Sequence, residues 1–347
     1  MTNTMNELTS IFRILWEKTE QKQARILRIF GCCPSASVPS YIEGYPVIEL
    51  GDYCFSKACH LPNIYETTYF GCNTDNGMTE LCGNYVESVQ LPDTLEKIGD
   101  YAFYDCRKLS HIIFGNKLRI IGSDAFMNCH MLHHLSIHCS IMEETGLRQI
   151  LRQIFWDVEV SFSGNSSGNS SLNKLENQRH TQPQAMIYYP EYYEAYDEIA
   201  PAHIFERTIQ GEGFRARQCF QDGIIDFAQY DTIFQKACAE ESEKTICRIV
   251  YCRLRYPFGL SADKKKQYQE YIKAHAAVLC QIFIDNRQLE ALSFLFQEDL
   301  LSQKDLSAAI TMSSKAGWNE GTASILSWKH LNYQHQPLHK KYEFEEF

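Results

Sequence analysis

A repeat of 23 residues restricts the fold of this chain more than any other feature of its sequence. Residues 91–114 align with residues 114–137, and nine positions keep the same kind of side chain, from Leu95 on Leu118 to Phe114 on Ile137. An earlier copy begins at Leu50. Aliphatic residues that recur at a period of roughly 20–29 residues predict stacked turns of chain, each contributing a short strand. The sequence therefore predicts a solenoid.

The alternation of side chains within a repeat predicts which of them are buried. His111 and Ile113 should point outward and Ile112 inward, because successive residues of a strand face opposite sides. Gly99 and Gly122 are expected to supply permissive backbone dihedrals at a turn. The predicted repeat core consists of Leu50, Phe55, Leu95, Ile98, Phe103, Cys106, Leu109, Ile112, Leu118, Ile121, Phe126, Cys129, Leu132 and Leu135.

Two segments carry a family resemblance. Residues 38–55 (VPSYIEGYPVIELGDYCF) resemble the opening of a BspA-type leucine-rich-repeat domain, and residues 91–103 (LPDTLEKIGDYAF) resemble its repeat unit. The resemblance covers about 38–140 and implies short parallel strands, a bacterial protein and non-catalytic binding. Many members are surface adhesins, and this sequence departs from them because it shows no export signal. The repeat signature is also missing between Glu66 and Gly83, where we expect an irregular loop.

The segments on either side of the repeats are predicted to cap the solenoid. Residues 8–30 have apolar side chains at helical spacing, so residues 1–37 are expected to form an N-terminal helical cap. After the repeats, a helical pattern followed by an alternating strand pattern should cover the open end. These patterns predict a leucine-rich-repeat domain with its C-terminal cap over residues 38–163. The composition of residues 164–184, which begin GNSSGNSS, predicts a linker.

The second half of the chain is predicted to be mostly helical. Residues 185–333 begin with an aromatic segment and continue with apolar residues at helical spacing. A fainter repeat at a shift of 31 aligns residues 277–279 with 308–310 and resembles ankyrin-like helix pairs. Residues 334–347 form a tail without a packing pattern. The predicted fold class is α+β: a leucine-rich-repeat solenoid followed by a mostly α-helical repeat-like domain.

Charge and cysteine content exclude several classes of partner. A formal net charge of −10 disfavours nucleic acid and anionic membranes. Without a signal peptide pattern or a long apolar stretch, the chain is expected to be cytoplasmic. Its fourteen cysteines contain no C-x-x-C pair, which argues against a disulfide framework or a zinc ribbon. Cys106 and Cys129 are therefore expected to be buried, reduced thiols.

No pattern in the sequence predicts an enzyme, a cofactor or a metal. The window from Cys129 to Cys139 contains four histidines, yet Cys129 should point into the core while His134 and His138 point outward. These groups could not converge on one ion. A row of histidines on the strand face could still hold a transition metal or an acidic peptide, and solvated histidines are the ordinary alternative. No nucleophile elbow, calcium loop or zinc-protease motif occurs.

We therefore predict a non-catalytic protein-interaction or scaffold protein whose partner is a protein or peptide. Binding at the outer strand face should depend on pH between about 5.5 and 7.5 if its imidazoles take part. The residues predicted to contact the partner are Ser88, Gln90, His111, Ile113, His134, Ser136 and His138.

The alternative is a ligand-binding or enzymatic domain at residues 185–235, with the repeats as a targeting module. A large enclosed pocket lined by Tyr192, Tyr196, Arg215 and Arg217 would favour this alternative.

Overall fold

The computed structural model describes residues 11–71, 77–164, 183–199 and 204–333. Its contacts define two compact units. The first unit contains Met1–Glu240 and Tyr256–Gly259, and the second contains Glu241–Arg255 and Leu260–Phe347. No helix in the described ranges is long and apolar enough to cross a bilayer.

The described strands of the first unit form two main sheets, which we call sheet I and sheet II. Sheet I has the order β14-β13-β12-β10-β8-β3, and sheet II has the main order β11-β9-β5-β2-β1-β6. The strands of sheet I are β3 (Ser35–Ser37), β8 (Ser88–Gln90), β10 (His111–Gly115), β12 (His134–His138), β13 (Val158–Phe162) and β14 (Ala185–Tyr189). Those of sheet II are β1 (Phe12–Lys18), β2 (Ala24–Gly31), β5 (Tyr45–Leu50), β6 (Glu66–Phe70), β9 (Lys97–Ile98) and β11 (Ile120–Ile121), with β4 (Tyr41–Ile42) against β5 and β7 (Thr79–Glu80) against β2.

The repeat places equivalent residues side by side in parallel strands. His111 is paired with His134 and Ile112 with Leu135, as the shift of 23 predicts. The predicted core residues are buried, each at most 1% exposed, with the exception of Ile121. Ile121 is half-buried because β11 is the outermost strand of sheet II. The structure thus confirms a solenoid with short parallel strands.

Two ladders run through the core from one turn to the next. The rings of Phe55, Phe103 and Phe126 stack with centroid distances of 4.7 and 5.4 Å. The thiol of Cys106 donates a hydrogen bond to the carbonyl of Phe55 at 3.2 Å, and that of Cys129 donates to the carbonyl of Phe103 at 3.0 Å. Both cysteines are buried free thiols, as predicted.

The glycines of the repeat have a different role from the one predicted. Tyr53, Tyr101 and Asp124 occupy the left-handed region, with φ of 55°, 54° and 50°, whereas Gly99 and Gly122 do not. A Cβ atom on Gly122 would lie 2.4 Å from the carbonyl carbon of Gly99. These glycines are required because neighbouring turns approach closely, and the prediction of permissive dihedrals is wrong.

The predicted N-terminal helix is also wrong over the residues that the structure describes. β1 and β2 form an antiparallel hairpin whose turn contains Lys22 in the left-handed region. The apolar run Phe12–Trp16 fits strand alternation as well as helical spacing, and Ile14 and Trp16 are fully buried. Tertiary context decides between the two, because β2 pairs in parallel with β5 and so supplies hydrogen-bond partners to the first turn of the solenoid.

The loop expected between Glu66 and Gly83 contains two strands. β6 pairs antiparallel with β1, and β7 pairs antiparallel with β2. Both strands extend the N-terminal hairpin, an arrangement that the repeat signature does not encode. Residues 72–76 lie outside the described residues.

At the other end of the solenoid, the segment predicted to be a cap forms α1 (Leu147–Leu151) and β13. β13 pairs in parallel with β12, and β14 then pairs antiparallel with β13. The aromatic segment therefore begins as a strand of sheet I, and the first unit continues to Glu240. Most of the predicted linker, residues 165–182, lies outside the described residues.

The remaining elements of the first unit follow β14. They are the hairpin β15 (Tyr193–Ile199) and β16 (Ile204–Gln210), the hairpin β17 (Phe220–Gln221) and β18 (Ile224–Ile225), and the helices α2 (Gly213–Ala216), α3 (Phe227–Thr232) and α4 (Phe234–Glu240).

The second unit is helical. Its described helices are α5 (Glu243–Arg255), α6 (Ala262–Ala274), α7 (Ala276–Asp285), α8 (Leu289–Gln297), α9 (Gln303–Lys315) and α10 (Asn319–Tyr333). Short turns join α7 to α8 and α9 to α10. The left-handed residues of these turns, Arg287 and Gly317, are 30 residues apart, one fewer than the predicted shift. The sequence thus located two helix pairs, whereas their likeness to ankyrin stays a prediction, and the tail 334–347 lies outside the described residues.

Candidate protein-interaction face

The outward side of sheet I presents two rows of side chains that cross five strands. We call this surface the serine–histidine face. Its first row is Ser35, Ser88, His111, His134 and Glu159, and its second row is Ser37, Gln90, Ile113, Ser136 and Ser161, with His138 at the end of β12. Beyond β13, β14 adds Tyr188 to the first row and Met186 to the second.

The structure brings all seven predicted contact residues together on this face. His134 is exposed and the other six are half-buried. The inward neighbours Val89, Ile112 and Leu135 are at most 1% exposed, so period-2 alternation holds across these strands. Outward placement is a fact of the fold, and partner contact at these residues remains a prediction.

Sequence reasoning missed the outer members of both rows. Ser35 and Ser37 precede Val38-Pro39 as Ser88 and Gln90 precede Leu91-Pro92, and this signal could have identified β3. Glu159 and Ser161 lie in the alternating strand that was assigned only to the cap. Their register depends on the loop between β12 and β13, whose length differs from that of the earlier repeats.

A chain of hydrogen bonds crosses the centre of the face. The Oγ atom of Ser136 lies 2.9 Å from Nε2 of His111 and 3.0 Å from Oγ of Ser161. The rings of His111 and His134 meet edge to face, with centroids 6.2 Å apart. The side chains of three neighbouring strands are therefore held in defined orientations.

Burial keeps the central histidine neutral. It lowers the pKa of His111 to about 4, and the nearby His134 and His138 contribute to the same shift. Burial also lowers the pKa of His138, although Asp93 opposes that shift. The pKa of His111 therefore lies below the window of pH 5.5–7.5 in which binding at the face was expected to depend on pH.

The low basicity of His111 also bears on catalysis. Its contact with Ser136 has the geometry of a serine–histidine pair. A general base works best when its pKa lies near the working pH, and a pKa of about 4 makes His111 a weak base at neutral pH. The contact therefore orients both side chains, and the lowered pKa leaves His111 in its neutral form at neutral pH.

Carboxylates line one end of the face, where β12 meets β13. Nδ1 of His134 lies 3.8 Å from a carboxylate oxygen of Glu159, and Nδ1 of His133 lies 3.3 Å from one of Asp157. The hydroxyl of Tyr188 donates a hydrogen bond to Asp157 at 2.9 Å. Across the described ranges, no group of three or more histidine, cysteine, aspartate or glutamate side chains is arranged to hold a metal ion.

The alternative site at residues 185–235 is organised differently from the expected pocket. Arg217 is only 4% exposed. Its guanidinium donates hydrogen bonds to the carbonyls of Ile154, Trp156, Pro190 and Gly213, at 2.5–2.9 Å. Burial lowers the pKa of Arg217 to about 10, which leaves it charged at neutral pH. Arg217 therefore joins the aromatic segment to the solenoid cap.

The other residues of the expected pocket do not gather around one cavity. The ring of Tyr192 lies 5.1 Å from the guanidinium of Arg217, whereas Tyr196 is 63% exposed on β15. Arg215 pairs with Glu212 and lines an open depression of about 240 Å³. Neither Tyr192, Tyr196 nor Arg217 lines that depression.

Three solved structures are similar to about a third of this chain. A leucine-rich-repeat protein from Bacteroides capillosus shares 21% identity over 36% of this chain and 77% of its own, with a TM-score of 0.27. A leucine-rich cell surface protein from Faecalibacterium prausnitzii shares 22% identity over 36% of this chain and 35% of its own, with a TM-score of 0.24. A leucine-rich-repeat protein from T. pallidum shares 20% identity over 35% of this chain and 67% of its own, with a TM-score of 0.21.

These TM-scores are too low to support an argument about function. No curated protein matches this chain at a significant level. The model of the BspA type leucine-rich repeat region matches residues 77–155, which include β8 to β12 and α1. Residues 77–155 are therefore a BspA-type leucine-rich-repeat region within a longer chain.

Proposed function

We propose that this chain is a non-catalytic interaction protein that binds a protein or peptide partner through the serine–histidine face. The observation that carries the proposal is the pair of aligned rows on β3, β8, β10, β12 and β13, which are polar at every position except Ile113. Leucine-rich-repeat regions typically serve protein interaction, and stacked repeats present extended surfaces.

The chemistry of the face favours a partner with neutral hydrogen-bonding groups. Serine hydroxyls, the Gln90 amide and the neutral imidazole of His111 can each donate or accept a hydrogen bond. The half-buried Ile113 supplies apolar contact at the centre. Because His111 and Ser136 already hold one another, less side-chain freedom is lost on binding. An extended peptide, whose backbone offers alternating donors and acceptors, fits these properties.

We also propose that the protein acts in the cytoplasm and that nucleic acid and membranes are not its partners. The net charge of −10 supports the second part. The buried free thiols of Cys106 and Cys129 support a cytoplasmic location. Alkylation of thiols in intact cells tests the compartment, and a disulfide to either cysteine would contradict it.

The experiment that tests the interaction face begins with identification of a partner by cross-linking in the native cell. Affinity is then measured with purified proteins. We design the double variant Gln90→Arg/His134→Arg, which places two long cations on the face at positions two strands apart. His134 is exposed and Gln90 half-buried, so both arginines can reach solvent and the fold should be retained.

The expected result is at least a tenfold weaker affinity for the double variant. The matched control is Met131→Arg, which adds a cation at a turn where the native side chain is 52% exposed. The control should bind as the native protein does. If the double variant binds the partner with unchanged affinity, the serine–histidine face is not the site for that partner, and the helical unit around Arg287, Trp318 and Trp328 becomes the surface to test.

A further inference from the structure

The first unit contains an open depression that lies apart from the serine–histidine face. It is lined by residues at and beside α2 and by residues of the helices α3 and α4, and its volume is about 240 Å³. The lining residues all lie between 212 and 236, within the described part of the first unit. Any ligand of this depression is therefore independent of the partner proposed above.

The charged side chains of the depression are two cations and one buried acid. Arg215 and Lys236 are exposed, whereas Glu212 is 0% exposed. The carboxylate of Glu212 pairs with the guanidinium of Arg215. Two positive charges against one negative charge leave the depression with one positive charge, in a chain whose formal net charge is −10. Because opposite charges attract, the depression favours an anion.

Glu212 also holds Arg215 in place. Burial raises the pKa of Glu212, and the guanidinium of Arg215 opposes that shift because it stabilises the ionised carboxylate. A guanidinium has five N–H donors in a rigid plane, so a bond to one carboxylate leaves donors for a second oxyanion. Glu240 lines a neighbouring depression that shares Arg215, and it does not line this one. Arg215 is thus ordered before a ligand arrives, which lowers the entropy lost on binding.

The volume and the uncharged lining restrict the ligand to a small molecule. Ligand pockets commonly measure about 300–1,000 Å³, so a depression of about 240 Å³ fits a ligand smaller than a drug-sized molecule. The buried residues Cys219 and Ile233 supply apolar surface for a short carbon skeleton. The exposed amides of Gln218 and Gln229 can donate or accept hydrogen bonds.

We propose that this depression binds the oxyanion group, a carboxylate or a phosphate, of a small organic molecule through Arg215 and Lys236. Arginine bonds to both groups with paired N–H donors, and lysine adds a point charge. The two oxyanions share this chemistry, so both are tested. A simple anion should bind with a dissociation constant of roughly 1–10 mM, because it gains only contacts to exposed charges.

The test titrates the full chain, labelled with ¹³C in the δ1 methyl groups of isoleucine, with succinate and with inorganic phosphate. The methyl signal of Ile233 reports on the depression that it lines, and its loss in Ile233→Val assigns it. Each anion is added to roughly 50 mM, above the expected dissociation constant, and sodium chloride at the same ionic strength is the reference. We expect a saturable shift of the Ile233 signal with at least one of the two anions. The anion that binds more tightly identifies the oxyanion.

Two variants test the cations. Lys236→Met removes one charge and keeps an apolar stem, and it should weaken binding by about threefold or more. Its matched control is Lys108→Met, at an exposed lysine of the solenoid, which should bind as the native chain does. The double variant Glu212→Gln/Arg215→Met removes both charges of the pair together, so that no buried carboxylate is left without Arg215, and it should abolish the saturable shift. The other isoleucine methyl signals show whether each variant is folded.

Three results overturn the proposal. The first is an Ile233 signal that saturates with neither anion or that responds to sodium chloride as strongly as to both. The second is a folded Lys236→Met variant that binds as tightly as the native chain. The third is a folded double variant that retains the saturable shift.

Discussion

Gly122→Ala should destabilise the solenoid although it adds only one methyl group. The turn that contains Gly122 stacks on the turn that contains Gly99, at the strand spacing of about 4.8 Å. A Cβ atom on Gly122 would lie 2.4 Å from the carbonyl carbon of Gly99 and 2.5 Å from the amide nitrogen of Asp100. Both atoms belong to the backbone, so no side-chain rotation can relieve the clash.

The size of the effect follows from these distances. An ordinary contact begins at 3.4 Å, so two hydrogen-bonded turns must separate by about 1 Å. Overpacking of this kind typically costs about 1–3 kcal/mol, and a clash between backbones belongs at the upper end. Alanine reduces the freedom of the unfolded chain, which offsets at most about 1 kcal/mol. We expect the free energy of unfolding of the first unit to fall by roughly 2–3 kcal/mol, or its melting temperature by roughly 4–12 °C.

The assay follows urea unfolding by hydrogen exchange of peptides from residues 91–137. These peptides report on the repeats separately from the helices of the second unit. The matched control is Gly146→Ala, at the start of α1, where the new Cβ atom would meet its nearest neighbour, the carbonyl oxygen of Leu118, at 3.2 Å. The control should change stability by less than about 1 kcal/mol.

The difference in stability between Gly122→Ala and Gly146→Ala tests whether close approach of the turns explains the glycine. If Gly122→Ala and Gly146→Ala unfold at the same urea concentration, close approach of the turns does not explain the glycine. A large effect in both variants would mean that any added methyl group in this region destabilises the fold. The close approach of the Gly99 backbone would then not be the specific cause.

Three further predictions concern the core, the cap and pH. Phe126→Ala should lower the free energy of unfolding by about 3–5 kcal/mol, because the fully buried ring stacks on that of Phe103. The control Met127→Ala, at a 46% exposed site, should cost under about 1 kcal/mol. Equal melting temperatures for the two variants would show that the assigned register is wrong. Arg217→Met leaves the carbonyls of Ile154, Trp156 and Pro190 without their donor and should cost at least about 3 kcal/mol. Limited proteolysis should then cleave residues 183–235 first, and a native cleavage pattern would contradict this. The pKa of His111 is about 4 in the folded state and 6.5 in the unfolded state, so the unfolded state binds the proton first as pH falls. The contribution of neutral His111 to the free energy of unfolding is therefore complete above pH 6.5 and is lost as pH falls towards 4. His111→Gln should make urea unfolding less dependent on pH in that window, and an unchanged pH profile would show that His111 is not the responsible group.

The repeat and the outward placement of the serine–histidine face could be predicted from the sequence because both depend on local periodicity. A shift of 23 aligns His111 with His134, and the structure pairs the same two residues. Period-2 alternation then separates the outward from the inward side chains of each strand. The register of β13 could not be obtained in this way, because its connection to β12 departs from the repeat length. Glu159 and Ser161 were missed for that reason.

The errors arose where a second segment supplies the partner. Residues 12–16 fit a helix and a strand equally well by pattern, and the pairing of β2 with β5 selects the strand. Binding at the face was expected to depend on pH between about 5.5 and 7.5, yet the partial burial of His111 lowers its pKa to about 4. Gly122 was assigned to a turn, although its backbone is ordinary and the neighbouring turn at Gly99 is what excludes a side chain.

The sequence by itself determined that the chain repeats, which residues form the repeat core, and that the chain after about residue 240 is helical. These properties follow from the spacing of side chains along the chain, which stacking preserves from one turn to the next. Only the tertiary structure decided that the N-terminal segment is a hairpin, that Arg217 joins the aromatic segment to the cap, and that β6 is left as an edge. Each of these depends on hydrogen bonds between separate segments of the chain, and spacing within one segment carries no information about them.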